Sequence, residues 1–241
     1  MKNNMKTVGI IGGLGPETTA KFQLELINFC SKNNKVQRPP FLMWNVPVVI
    51  KVEEDLIINN GDGKGFLALL IDGARILEKA GADFLVMPCN TLHIFIEEIR
   101  KSVNIPVLSI IDGTIVTLKK QKIKKIGLLA TSKTISENLF GKLEENRIKQ
   151  TIPNKKDQLA LDKIIHRLVL GKQNKKDKVK ANLIIKKMAR QGTRDFLLAC
   201  TDLQLIIKDH PQIRILDTMQ ILAKATANEI LKGGDKNDKR K

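Results

Sequence analysis

The chain has 241 residues with 42 Lys+Arg against 25 Asp+Glu, a net +17, and 42% of its residues are hydrophobic. That is enough chain for one large domain or two lobes and too apolar for disorder. The charge raises nucleic acid as a partner, yet Lys outnumbers Arg 33 to 9, Tyr is absent and Trp44 is the single Trp, so forked base readout and stacking platforms are scarce.

In chain order, the apolar run Val8-Gly9-Ile10-Ile11 opens the first strand, at 7–11. It is too short for a signal peptide, and no stretch approaches the roughly 18 uninterrupted apolar residues of a membrane span. A soluble cytoplasmic protein without membrane attachment is expected. The loop Gly12-Gly13-Leu14-Gly15 follows, then a helix at 16–32 and a strand at 41–45. The glycines could be taken for a dinucleotide fingerprint. However, the acidic ribose ligand expected about 20 residues on is missing, because that strand closes with Trp44-Asn45. A P-loop Gly-Lys-Ser/Thr is absent too.

Further strands are expected at 84–87, 107–110, 125–130, 196–199 and 213–216. Helices are expected at 65–80, 93–102, 135–146, 156–169, 175–191 and 219–232. Short Val/Ile/Leu runs alternating with longer amphipathic stretches read as α/β with mainly parallel sheets flanked by helices. Residues 119–194 hold 22 Lys+Arg against 6 Asp+Glu, a net +16, so the basic character belongs to one part of the chain.

The chain also repeats itself. Lys6-Thr-Val-Gly-Ile-Ile-Gly12 resembles Lys125-Ile-Gly-Leu-Leu-Ala130, and Gly81-Ala-Asp-Phe-Leu-Val-Met-Pro-Cys89 resembles Gly192-Thr-Arg-Asp-Phe-Leu-Leu-Ala-Cys200. Ile105-Pro-Val-Leu-Ser-Ile-Ile-Asp112 resembles Ile213-Arg-Ile-Leu-Asp217. The offsets are 118, 111 and 105 residues, and three matches in one order suggest duplication. Two such units would form pseudo-symmetric lobes whose strand C-termini face a shared cleft.

Cys30, Cys89 and Cys200 are an odd number with no C-x-x-C pair, and His93, His166 and His210 are scattered. This argues for a reducing compartment and against a structural metal site. Cys89 and Cys200 sit at matched positions, each just after a strand and before a helical pattern, where the helix dipole would stabilise thiolate. Thiols flanking one substrate carbon suit two-base stereoinversion, one removing the α-proton and the other protonating the opposite face. Cys30 has no counterpart and reads as structural. His166 and His210 read as surface or capping residues.

The blocks Gly9-Ile-Ile-Gly-Gly-Leu-Gly-Pro-Glu-Thr-Thr19, Met87-Pro-Cys-Asn-Thr-Leu-His93, Gly127-Leu-Leu-Ala-Thr-Ser-Lys-Thr134 and Ala199-Cys-Thr-Asp202 resemble the aspartate/glutamate racemase family over roughly residues 5 to 230. The resemblance implies a cofactor-independent amino-acid racemase of the aspartate/glutamate type, without pyridoxal phosphate or metal. The implied catalytic pair is Cys89 and Cys200. It implies one lobe at 1–113 with a returning helix at 217–232, a basic second lobe at 114–216 and a charged tail at 233–241. Many members dimerise, so a homodimer is expected.

By position in the family's motifs, Asn90 and Thr91 would hold the substrate carboxylate and amino group. Thr131, Ser132 and Thr134 would bind substrate from the second lobe's loop, and Thr201 follows the second cysteine. Gly15 would let the first loop pass close to the substrate. His93 would orient the loop or tune Cys89, or serve as a hydrogen-bonded structural residue. Members acting on aspartate carry an Arg after the second strand, whereas this chain reads Asn45-Val-Pro-Val-Val-Ile-Lys51-Val-Glu-Glu54. Lys51 stands as the candidate there, and Lys172 as the candidate for a lysine the family uses ahead of the second cysteine.

Two alternatives stay open. One is a related two-lobed enzyme acting on a hydantoin, a malonate or a maleate. The other is a non-catalytic basic binding protein on the same scaffold, although dedicated nucleic-acid binding is not expected, since charge runs are more often solvated faces.

Overall fold

Runs of Val, Ile and Leu with no polar face settle only in sheets covered on both sides. The computed structural model describes residues 5–33, 37–208 and 213–232, so the tail at 233–241 and His210 lie outside the described residues. Strands β1 (Val8–Gly12), β2 (Phe41–Asn45), β3 (Phe84–Val86) and β4 (Val107–Leu108) form one sheet in the order β2-β1-β3-β4. Strands β5 (Lys125–Leu129), β6 (Lys149–Thr151), β7 (Asp195–Leu198) and β8 (Arg214–Asp217) form a second in the order β6-β5-β7-β8. Every pairing is parallel. The α/β class read from the sequence therefore holds.

The helices are α1 (Pro16–Asn33), α2 (Ile50–Ile58), α3 (Lys64–Lys79), α4 (Ile96–Ser102), α5 (Ile110–Lys120), α6 (Ser132–Ser136), α7 (Lys142–Glu145), α8 (Lys155–Val169), α9 (Lys175–Arg190) and α10 (Thr218–Leu231). Short 3-10 turns occupy Thr91–Phe95 and Thr201–Leu205. Among the described residues no helix is long and apolar enough to cross a membrane.

The two sheets repeat down to their register. Gly9 lies opposite Leu85 and Gly127 opposite Phe196, as offsets of 118 and 111 residues require. A Cβ added at Gly9 would stand 2.6 Å from Leu85, and one at Gly127 would stand 2.6 Å from Phe196. Equivalent glycines thus make room for equivalent neighbours. The third offset needs correction. Leu85 pairs with Val107 and Phe196 with Ile215, which makes it 108 residues rather than 105. The two aspartates that suggested 105 are not equivalent: Asp217 caps α10, and the residue capping α5 is Ser109.

Ser109 also ends the strand expected at 107–110 after two residues, because its side chain accepts the Asp112 N–H and starts α5. The helix expected at 135–146 splits into α6 and α7, with Asn138 between them at φ +50. Three elements lacked an expectation: α5, which that Ser109 cap begins, and two more. Strand β6 has only three residues, Lys-Gln-Thr, none of them fully buried. Helix α2 buries Glu53, Leu56 and Ile57, a stripe whose one charged member hides its period.

A continuous core joins the lobes. Val8, Ile10 and Phe22 pack in one cluster with Ile126, Leu128, Leu197 and Leu216. Helix α10 returns from the second sheet to lie on α1 and α5. The position between 113 and 114 falls inside α5, whose apolar face belongs to this shared core. Each sheet has a further cluster on its outer side, and Ile57 of α2 joins the one under the second sheet.

Candidate functional site

Parallel strands place the loops after their C-terminal ends on one edge, and here those edges face each other. Leu14 after β1, Cys89 after β3, Thr131 after β5 and Cys200 after β7 line a single cleft. The sulfurs of matched positions in the two repeats therefore open onto one space. Helix α2 from the first half and α8 from the second pack together and complete the wall with Glu53, Leu56, Ile165 and Val169.

All three cysteines are free thiols, and Cys30 is buried in the shared core as expected of a structural residue. The dipole argument for thiolates does not survive the burial. Burial pushes the Cys89 thiol up to about 12, against the pull of the Leu92 and Thr91 N–H groups, with Asp202 and Glu53 adding to the push. Cys200 is raised well above the usual thiol value by burial and by Asp202. The turns that follow are short 3-10 segments, and desolvation outweighs the few N–H groups they offer. In the unliganded protein both groups are thiols.

Asp202 is placed to receive a proton. Cys200 Sγ donates to its Oδ2 at 3.7 Å, and Thr18 Oγ1 donates to its Oδ1 at 2.6 Å. Burial raises the carboxyl to about 6, while these hydrogen bonds hold it down. Gly15 is what admits it. At φ +92 a side chain there would be strained, and a Cβ would stand 2.5 Å from Asp202 Oδ1. Gly15 thus acts by backing Asp202.

On the other side, Asn90 donates through Nδ2 to Thr218 Oγ1 at 2.9 Å. The amide orientation follows from Thr218, whose single proton goes to the Leu198 carbonyl at 2.8 Å, so Thr218 must accept from Asn90. Asn90 Oδ1 is then buried at the cleft with no partner among the described residues. The hydroxyls of Thr91, Thr131 and Thr134 form a triangle with sides of 3.1, 3.1 and 3.0 Å that links the two halves. Thr201 Oγ1 donates to the Pro88 carbonyl at 3.2 Å and crosses between them again.

Asn90, Thr91, Thr131 and Thr201 therefore meet the two cysteines at the cleft, and Thr134 stands one hydrogen bond behind. Ser132 does not line it: its N–H and Oγ both donate to Asp162 of α8, at 2.8 and 2.5 Å. Lys51 is a correction. It is exposed on α2, because two residues along a helix turn a side chain about 200° from its neighbour, and Glu53 takes the inward position. Lys172 is another, exposed beyond the end of α8 and outside the cleft. It follows the left-handed Gly171, and its N–H is taken by the Arg167 carbonyl.

Glu53 and Asp202 are the polar cleft residues that the sequence did not mark as site members. Asp202 had a signal, its place two residues after Cys200. Glu53 had none beyond the helical stripe of α2. Among the described residues no group of three His, Cys, Asp or Glu side chains is placed to hold a metal ion.

His93 has a defined tautomer. Its Nε2 accepts the Ile110 N–H at 3.1 Å, so Nδ1 carries the proton and donates to the Cys89 carbonyl at 2.7 Å. Burial lowers its pKa to about 4. A neutral His93 thus holds the Cys89 loop against the start of α5.

The model of the Asp/Glu/Hydantoin racemase family matches residues 11–226 of the chain. RacX of Bacillus subtilis (strain 168), named a broad specificity amino-acid racemase, is 28% identical over 231 residues, covering 93% of this chain and 98% of its own. The crystal structure of a candidate Asp/Glu racemase from Yersinia pestis is 29% identical with a TM-score of 0.79, covering 94% of this chain and 100% of that one. Aspartate racemase of Picrophilus torridus, also 29% identical, gives a TM-score of 0.76 and covers 95% of this chain and 94% of its own.

Proposed function

The chain belongs to the Asp/Glu/hydantoin racemase family, and from that premise we propose that it inverts the α-carbon of an amino acid with Cys89 and Cys200 as the acid–base pair. The observation that carries this reading is the opening of two thiols, from matched strand ends of a repeated unit, onto one cleft. No pyridoxal phosphate takes part in the proposed chemistry.

In one direction Cys200 first gives its proton to Asp202, to which it is already hydrogen-bonded. The thiolate takes the α-proton, leaving a carbanion, and the Cys89 thiol protonates the opposite face. In the other direction Cys89 is the thiolate, held by the Thr91 and Leu92 N–H groups, and Cys200 is the donor. Both thiols being raised, ionisation belongs to the complex, where the substrate ammonium replaces water as a stabilising charge. The unpartnered Asn90 Oδ1 suits that ammonium, and the Thr91 hydroxyl, which can accept from Thr134 and keep its own proton free, suits the substrate carboxylate.

Racemisation of a panel of L- and D-amino acids without added cofactor tests the reading. In deuterated water each enantiomer acquires deuterium at the α-carbon. Cys89→Ser and Cys200→Ser each lower kcat by roughly 1000-fold, the scale of a lost general acid–base group. Full activity in either variant rules out the two-thiol mechanism.

A further inference from the structure

The cleft contains a carboxyl that the two-thiol chemistry leaves unused. Glu53 is 8% exposed and lines the cleft, and among the described residues no hydrogen bond or ion pair reaches its carboxyl. Burial, with Asp202 nearby, raises it to about 7. A carboxyl mostly withdrawn from water and without a donor is poorly solvated, and a cationic ligand would supply what the solvent does not. Asp202 does not need such a ligand, since Thr18 and the Cys200 thiol already donate to it.

The surroundings of Glu53 narrow the ligand's chemistry. The wall beside it is apolar, with Leu14, Leu56, Phe66, Ile165 and Val169. Among the described residues no Lys or Arg lines the cleft. Lys133 is buried nearby in sequence to the site loop, but its ammonium is bound by Glu137 at 2.7 Å. A side-chain carboxylate entering here would find no counter-charge and would meet Glu53 and Asp202. Apolar walls with a free carboxyl among them fit a methylene chain that ends in a cation. The α-ammonium has its own acceptor in Asn90 Oδ1.

We propose that the substrate is an amino acid with an unbranched aliphatic side chain ending in an ammonium, of the lysine or ornithine kind, and that Glu53 is the specificity-determining residue that receives it. This rests on the racemase reading of the same site.

The test compares L-lysine with L-norleucine, which keeps the chain and lacks the ammonium, in the wild type and in Glu53→Gln. The readout is α-proton exchange in deuterated water. The lysine-to-norleucine ratio of kcat/KM is above one in the wild type. In Glu53→Gln it falls by roughly 30-fold or more, mainly through KM for lysine, as expected when a buried charge loses its partner. A partly unfolded preparation scales both rates equally, so the ratio reads only the folded protein.

A ratio that stays within about twofold in Glu53→Gln overturns the proposal, since a Glu53 that bound the α-ammonium or served only the fold would give that result. A wild type that prefers norleucine or glutamate to lysine also overturns it. A wild type that exchanges the α-proton of no amino acid overturns the racemase reading instead.

Discussion

The two hydrogen bonds of His93 show how much a single buried side chain is asked to do. It satisfies the Cys89 carbonyl and the first N–H of α5 at once, and only in its neutral form. His93→Ala leaves both groups buried and unpaired and costs about 3 kcal/mol. The pKa sets the pH dependence. In the folded protein it is about 4, below the ordinary value of 6.5, so the neutral ring's contribution is present above 6.5 and disappears as the pH falls towards 4. Urea unfolding of wild type and His93→Ala at pH 7.5 and pH 5 should show the gap narrowing at the lower pH. A constant or wider gap contradicts the neutral assignment. The sequence placed His93 beside Cys89 but left its role open, because the Ile110 N–H comes from 17 residues away.

At the scale of elements, the repeat makes a paired prediction. Gly9 and Gly127 face Leu85 and Phe196 with the same 2.6 Å clearance for an added Cβ. Gly9→Ala and Gly127→Ala should each destabilise by about 1–3 kcal/mol, the usual cost of overpacking a filled core. Thermal unfolding of the two variants checks it, and a neutral effect at one glycine alone would break the equivalence. The elements legible beforehand were those whose apolar period was unbroken, such as β1, β5 and α8. Helix α2 was not legible, because its inward stripe of Glu53, Leu56 and Ile57 places a carboxyl where a core residue is expected. The same anomaly makes α2 the element of most interest at the cleft, because Glu53 faces inward while Lys51 faces away.

Across the whole molecule, the described lysines and arginines of the second half stay outside the cleft. Several of its cations are tied to buried carboxylates: Lys180 and Lys187 reach Asp157, and Arg167 pairs with Asp177, which completes the capping box of α9. These pairs sit on α8 and α9 beside exposed lysines, as a solvated helical surface would. A protein with that surface should leave heparin at moderate salt with a shallow dependence on salt. A steep slope that signals many phosphate contacts would revive the nucleic-acid reading. The sequence by itself determined the α/β class, the duplication and the matched cysteines, because apolar period and spacing are properties of the linear chain. Only the tertiary structure decided which side chains share the cleft and in which protonation state. Desolvation and the facing of a helix depend on neighbours far away in sequence, and they turned Glu53 inward, turned Lys51 out and kept both cleft cysteines as thiols.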